Sequence, residues 1–306
     1  DSWLSDPLNQ KLADLDFDHA MEMFKRDNLM AKRRKRTGGK KKVQAVNYSL
    51  IFTGNTPGNT GNYPLAVGNR DHVTTAFDPD DYNLSEGFTV SYWVRPDEFG
   101  NTMFALGRKP SQHERFQFGI QDKDDFFVGV GKQRFRTTEH GMGVVPAGSS
   151  TRNNDAGTWY HWAVTYAGHG SGKTVKIYRD ATLLQETTAN WTGTGATGGE
   201  PVYFGGYNQP DGSGGDEYAA GWACGLDEVA IFDEVKSIGT LYTGTKPPDL
   251  TNESGLVGYW KFNEGGGTTV TDHSGNGNHG TFAPIGTVTN TGVTAAYPTW
   301  ETRPPQ

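Results

Sequence analysis

Three groupings in this chain have residue types and spacing from which chemistry could arise. The first is acidic: Asp227, Glu228, Asp233 and Glu234 bracket the run Val229-Ala230-Ile231-Phe232. Retaining glycoside hydrolysis needs two carboxyl groups about 5–5.5 Å apart, which a strand supplies when acids alternate along one of its faces. These acids stand at the two ends of an apolar run instead. That is the pattern of a structural strand with polar ends, and no catalytic residue is assigned. The second grouping, Ala167-Gly168-His169-Gly170-Ser171-Gly172-Lys173-Thr174, nearly spells a phosphate-binding loop. Such a loop must run from a strand into a helix, so that the helix N-terminus meets the phosphate. Here Val175-Lys176-Ile177-Tyr178 reads as a second strand, which predicts a hairpin tip.

The third grouping is Tyr207-Asn208-Gln209-Pro210-Asp211, with Asp216, Tyr218 and Trp222 in the same glycine-rich stretch. A sugar site needs aromatic faces for C–H surfaces beside amides and carboxylates for hydroxyls, and this stretch holds both. The same aromatics would serve equally as core residues of a β-rich chain, so the two roles stay open. Among the eight histidines only His273 and His279 lie close together, flanking a Gly/Asn loop, and zinc catalysis is not expected. Four Asn-x-Ser/Thr sequons begin at Asn47, Asn83, Asn190 and Asn252.

The elements that must position these residues are strands. Forty-two glycines, about twice the average share, and 12% aromatic residues point to short strands joined by glycine-bearing turns, an all-β class. The segment Phe88-Thr89-Val90-Ser91-Tyr92-Trp93-Val94-Arg95-Pro96 alternates and stops at proline. Further strands are predicted over Tyr48–Phe52, Phe116–Ile120, Phe126–Gly131, Trp159–Tyr166, Val175–Arg179, Val202–Gly206, Leu226–Phe232 and Leu256–Phe262. This spacing is that of an antiparallel sandwich. The single cysteine, Cys224, excludes an intramolecular disulfide, so burial must hold the fold. No apolar run approaches the roughly 18 residues of a membrane span. The first residues are polar and acidic, unlike a signal peptide. Asp1 is not an initiator Met, which leaves processing or an upstream segment open.

Charge divides the chain. Residues 1–42 hold eleven basic and seven acidic residues, net +4, and the remainder holds seventeen against twenty-eight, net −11. Asp6 before Pro7 resembles a helix N-cap and first turn, and Leu8, Leu12, Leu15 and Phe24 follow a rough helical spacing. An amphipathic helix is expected over residues 7–31. A narrow apolar stripe gives such a helix little reason to be ordered alone, so it either packs on its own domain or anchors on a partner protein. The basic run that follows includes Arg33, Arg34, Lys35 and Arg36, and it is read either as a solvated linker or as a salt-dependent contact to phosphates, nucleic acid or an acidic protein surface. Nucleic acid is not the expected partner.

The segment Gly255-Leu256-Val257-Gly258-Tyr259-Trp260-Lys261-Phe262-Asn263-Glu264-Gly265, followed by Thr271-Asp272-His273-Ser274-Gly275-Asn276-Gly277-Asn278-His279-Gly280, resembles the signature of laminin G-like modules of the concanavalin A-like lectin and glucanase class. Matching pieces are the Phe88–Pro96 strand, Trp159–Tyr166 with Val175–Tyr178, Tyr203-Phe204-Gly205-Gly206 and Leu226–Asp233, so the resemblance covers roughly residues 48–282. In many such modules the Gly-Tyr-Trp segment comes first, whereas here it comes last. Residues 255–282 are therefore expected to complete the sandwich in permuted order.

The resemblance implies a two-sheet antiparallel jelly roll, with residues 1–45 as anchor and 46–306 as the sandwich. It implies a non-catalytic attachment module that binds glycans or partners. The Glu-x-Asp-x-x-Glu spacing of related glucanases does not occur. It also implies a structural calcium, for which Asp227, at the start of the Asp-Glu-Val strand, is the expected ligand, with Asp272 as a second candidate. By analogy with similar modules the setting is a virion surface or tail component, including those of bacteriophages, with a cell-surface glycan as a further partner. A secreted calcium-supported lectin or adhesin is the alternative, and a glucanase-type glycoside hydrolase the second alternative.

Overall fold

The computed structural model of this chain describes residues 47–53, 72–97, 102–111, 114–121, 125–131, 133–136, 157–168, 170–191, 201–210, 216–219, 223–283, 297–302 and 305. The expected N-terminal helix and basic linker, with Leu8, Leu12, Leu15, Phe24, Arg33, Arg34, Lys35 and Arg36, lie outside them.

Strands follow one another in the order β1 (Ser49–Thr53), β2 (His72–Thr75), β3 (Phe88–Pro96), β4 (Thr102–Ser111), β5 (Glu114–Gln121) and β6 (Asp125–Gly131). Next come β7 (Gln133–Arg136), β8 (Tyr160–Tyr166), β9 (Gly170–Arg179), β10 (Thr182–Trp191), β11 (Tyr203–Phe204) and β12 (Tyr207–Pro210). The last are β13 (Asp216–Ala219), β14 (Ala223–Phe232), β15 (Leu256–Trp260), β16 (Thr269–Val270), β17 (Gly280–Ala283) and β18 (Thr299–Glu301). One short helix, α1 (Ile238–Leu241), lies between β14 and β15.

The strands form two large antiparallel sheets. The first runs β10-β9-β8-β3-β14-β1-β18, and β15 also pairs with β14. The second runs β16-β17-β2-β11-β4-β5-β6-β7. This is the two-sheet all-β jelly-roll sandwich expected from the alternating strands. β14 is long enough to hold two partners end to end on one side. Its first half pairs with β1 (Leu50↔Leu226) and its second with β15 (Val229↔Trp260). Asp227 and Glu228 fall in the gap between those partners, where the ladder to β3 slips its register and Glu228 takes a left-handed φ of 49°.

Alternation explains the core. Phe88, Val90, Tyr92 and Val94 of β3 face Phe116, Phe118, Phe126 and Val128 of the second sheet, all buried. Phe126 stacks on Trp162 with ring centroids 3.9 Å apart. Trp260 meets Phe77 and Phe204 edge-on at 6.0 and 5.0 Å. Each such side chain contributes about 1.5–3 kcal/mol by leaving water. The opposite face of the first sheet carries a smaller cluster of Ala163, Ala230, Phe232 and Tyr259, covered by Leu241 of α1 and by Leu250.

The predicted hairpin at Ala167–Thr174 is present. The Ala167 amide donates to the Thr174 carbonyl at 2.9 Å, and the chain turns back into β9 rather than entering a helix. Residues beyond Gly255 join both sheets, β15 through β14 and β17 through β2. Among the described residues no helix is long and apolar enough to cross a membrane.

Candidate functional site

The strands bring three of the candidate groupings into defined positions. The aromatic and amide stretch forms the hairpin β12–β13, in which Tyr207 pairs with Ala219, Asn208 with Tyr218 and Pro210 with Asp216. β12 leaves the second sheet directly after β11 and runs beside β4. Asn208 and Tyr218 are thus direct cross-strand neighbours at the border of that sheet, whereas Asp211 and Trp222 lie outside the described residues. Sequence spacing alone left the partner of Asn208 undefined, and the hairpin register supplies it.

The acidic grouping divides: Asp227 is buried and Glu228 half-buried, while Asp233 and Glu234 are exposed, with Glu234 paired to Lys236 at 3.2 Å. Asp227 is 3% exposed, and its carboxyl accepts from the Glu228 amide at 2.9 Å. Burial, with the neighbouring charges of Glu228 and Glu264, pushes its pKa well above the carboxylate range. Glu228 accepts a short hydrogen bond from the Tyr259 hydroxyl. Its own pKa is pushed up to about 7 by burial, against the opposing pull of that hydroxyl and of Lys261. Lys261 in turn pairs with Asp249 at 2.9 Å. Tyr259 is tied to the first sheet and to Leu250, so Glu228 is held as part of the sandwich wall.

Glu264 was not singled out from sequence. One of its oxygens accepts from the Thr271 amide at 2.7 Å, and the other is buried with no hydrogen-bond partner. Asp227 is buried, Glu264 is half-buried with one buried open oxygen, and the Glu264 charge is felt at Asp227; carboxylate oxygens of this kind are the hard donors a calcium ion takes. The chemistry of the Asp227 carboxyl and the open Glu264 oxygen suits a hard cation. Among the described residues no group of three or more His, Cys, Asp or Glu side chains is placed to hold a metal, so further ligands there would be amide or main-chain oxygens. The only sequence signal for Glu264 was its position after the aromatic strand, in Phe262-Asn263-Glu264-Gly265. Its neighbour Asn263 accepts from the Tyr48 amide at 3.1 Å and pins this loop to the entry of β1.

Asp272 does not fit a cation. Its oxygens accept from the amides of Tyr259, Ser274 and Asn278 and from the Ser274 hydroxyl, at 2.8–2.9 Å. Protein donors use its acceptor capacity, and its work is to organise the Ser274–Asn278 loop. His273 is half-buried, and burial followed by the Lys261 charge lowers its pKa. His279 accepts from the Asp272 amide through Nδ1 at 3.0 Å, so both histidines belong to the loop.

Comparisons with known proteins agree with this architecture. Among solved structures, a candidate carbohydrate-binding protein from Bacteroides ovatus superposes with a TM-score of 0.52 at 16% identity, over 84% of this chain and 60% of that one. This chain thus spans about three fifths of that protein's length, and the likeness is one of fold. A pentraxin from Limulus polyphemus, resembling serum amyloid P, reaches a TM-score of 0.42 at 13% identity, over 66% of this chain and 84% of that one. Domain 4 of an extracellular arabinanase from Geobacillus stearothermophilus, solved with arabinotriose, reaches 0.35 at 14%, over 61% and 84%. These last two are too distant to carry an argument. No curated protein matches the chain. A laminin G family model described as the concanavalin A-like lectin/glucanases superfamily matches residues 52–238, more than half of the sequence, and the chain belongs to that family.

Proposed function

We propose that residues 46–306 form a non-catalytic saccharide-binding module, supported by calcium at Asp227 and Glu264, and that residues 1–45 fasten it to a protein partner in a larger surface assembly. A virion decoration or tail component is the setting this reading favours. The observation that carries it is the β12–β13 hairpin, which sets Asn208 opposite Tyr218 at the border of the second sheet of a lectin-class sandwich. Aromatic and amide positions at one strand register are what a sugar ring requires. The acids best placed for catalysis, Asp227 and Glu228, are instead tied into the wall of the first sheet.

The test is a glycan array probed with the full chain in calcium and again in chelator. Selective binding that falls with chelator is expected, together with a calcium-dependent rise in Tm that Glu264→Gln abolishes. A chain lacking residues 1–45 keeps the binding and loses incorporation into the assembly. A folded chain that retains no saccharide overturns the reading, and release of sugar would make it a hydrolase.

A further inference from the structure

The connection from β14 to β15 is a strap laid over the outer face of the first sheet. Ile238, Leu241 and Leu250 pack there against Ala163, Ala230, Phe232 and Tyr259. Polar contacts fasten both of its ends. At the start, the Lys236 amide donates to the Thr89 hydroxyl at 2.9 Å, and the Lys236 ammonium pairs with Glu234 and Glu253 at 3.2 and 3.1 Å. At the far end, the Leu250 amide donates to the Tyr259 hydroxyl at 3.4 Å, and Asp249 pairs with Lys261 at 2.9 Å. Between Lys236 and Leu250 only Leu241 is buried. The same span carries Tyr242, half-buried, whose ring stacks on Trp93 at 5.7 Å and meets His161 at 5.3 Å.

His161 closes that triangle of rings, 5.4 Å from Trp93. It is wholly buried, its Nε2 lies 2.8 Å from the Ser91 hydroxyl, and its Nδ1 is buried with no hydrogen-bond partner. Imidazolium donates from both nitrogens, so the closed strap leaves one of its protons without an acceptor and away from water. The charged and titratable groups near the ring come from the elements packed around it. Asp180, at the β9–β10 turn beside Arg179, accepts from the His161 main-chain amide at 2.9 Å, and its charge is felt at the Tyr242 hydroxyl. Asp227 stands one strand further on, in register with Trp93. Glu228 is at the far end of the strap, hydrogen-bonded to Tyr259. Burial alone lowers the His161 pKa, to about 3.

We propose that residues 237–250 are an acid-released strap: a proton on His161 favours a state in which Leu241 and Tyr242 lift from the first sheet and uncover Trp93, Ala163 and Phe232, while the sandwich stays folded. Segments with few buried apolar contacts are the ones that open locally at least cost. The open strap lets water reach Nδ1, and His161 then binds a proton near its ordinary value of about 6.5. The closed strap holds it neutral down to about 3. Opening is therefore insensitive to this group above the ordinary value and grows easier as pH falls through the window between the two.

Hydrogen exchange of the full chain at pH 7 and pH 5, at fixed calcium and corrected for the chemical rate, tests it. The Tyr242 amide, which donates to the Ile238 carbonyl at 3.0 Å, reports the strap, and the Val164 amide in β8 reports the sandwich. Tyr242 is expected to be less protected than Val164 at both pH values, and its protection is expected to fall about 25-fold at the lower one. In His161→Phe that fall should shrink below about threefold. Tyr242→Ala supplies a readout that does not depend on the folding of the His161 variant. With the covering ring removed, the His161 imidazole, followed by NMR, should titrate about one unit or more closer to its ordinary value than in the native chain. Equal protection of Tyr242 and Val164, a fall that persists in His161→Phe, or a His161 titration unmoved in Tyr242→Ala overturns the strap.

Discussion

Trp260 donates its indole N–H to the main-chain carbonyl of Asn278 at 2.9 Å, which locks the last core strand of the first sheet to the loop that follows it. Asn278 is itself held by the Tyr82 hydroxyl at 2.7 Å and by the Val257 carbonyl at 3.0 Å. The loop rich in Gly and Asn is therefore a fastener, and Asp272 is its centre.

Replacing Asp272 by Ala removes the acceptor of four donors, of which the amides of Tyr259 and Asn278 are buried. A loss of about 3 kcal/mol is expected, from broken charge-assisted bonds and stranded N–H groups. Urea unfolding with an unchanged m-value checks it. A loss below about 0.5 kcal/mol, the size of an ordinary surface substitution, would show that the loop holds itself without Asp272.

Gly205 has a φ of +84°, and a Cβ there would run into the Phe52 ring. Gly205→Ala combines a left-handed backbone penalty with overpacking against a fully buried aromatic. The expected cost is about 2–4 kcal/mol. A thermal melt matching the native protein would show that Phe52 can move aside.

His161 is wholly buried, with Nε2 2.8 Å from the Ser91 hydroxyl, and desolvation lowers its pKa to about 3. The unfolded chain binds this proton near its ordinary pKa of about 6.5, while the folded chain stays neutral down to about 3. The group's contribution is full above the unfolded value and erodes as pH falls through the window between the two. Between pH 7 and pH 5 the native protein should lose about 2 kcal/mol that His161→Phe does not lose. Parallel pH profiles of the two proteins would refute the assignment.

Particular residues show what the sequence revealed and what it hid. β3 was legible to its ends because nine residues alternate and proline closes them. β4 and β10 were missed because their residues carry no clean alternation: β4 includes Gly107 and Pro110, and β10 is a largely polar edge strand. β9 was found only from Val175, since the glycines before it read as turn while the ladder to β10 continues through them. Asp227 could be singled out from its motif. Glu264 could not, because its value arises where the β15 loop folds back to the gap between β1 and β15 beside β14. Gln117 between two phenylalanines reads as a solvent-facing polar residue, and only the folded sheet shows its amide buried.

Ser49 and Glu301 are direct partners across β1 and β18, so the strands that open and close the sandwich lie side by side with their outer ends together. Pulling on both ends would load the hydrogen bonds of that pair one after another, as a zipper, rather than all at once in shear. The salt bridge from Arg95 to Glu301 at 2.7 Å sits at that first tooth, with Arg95 also bound to Asp97 and stacked near Trp159. Under such traction β18 would peel first, and the Arg95–Glu301 pair is the first side-chain contact it would break.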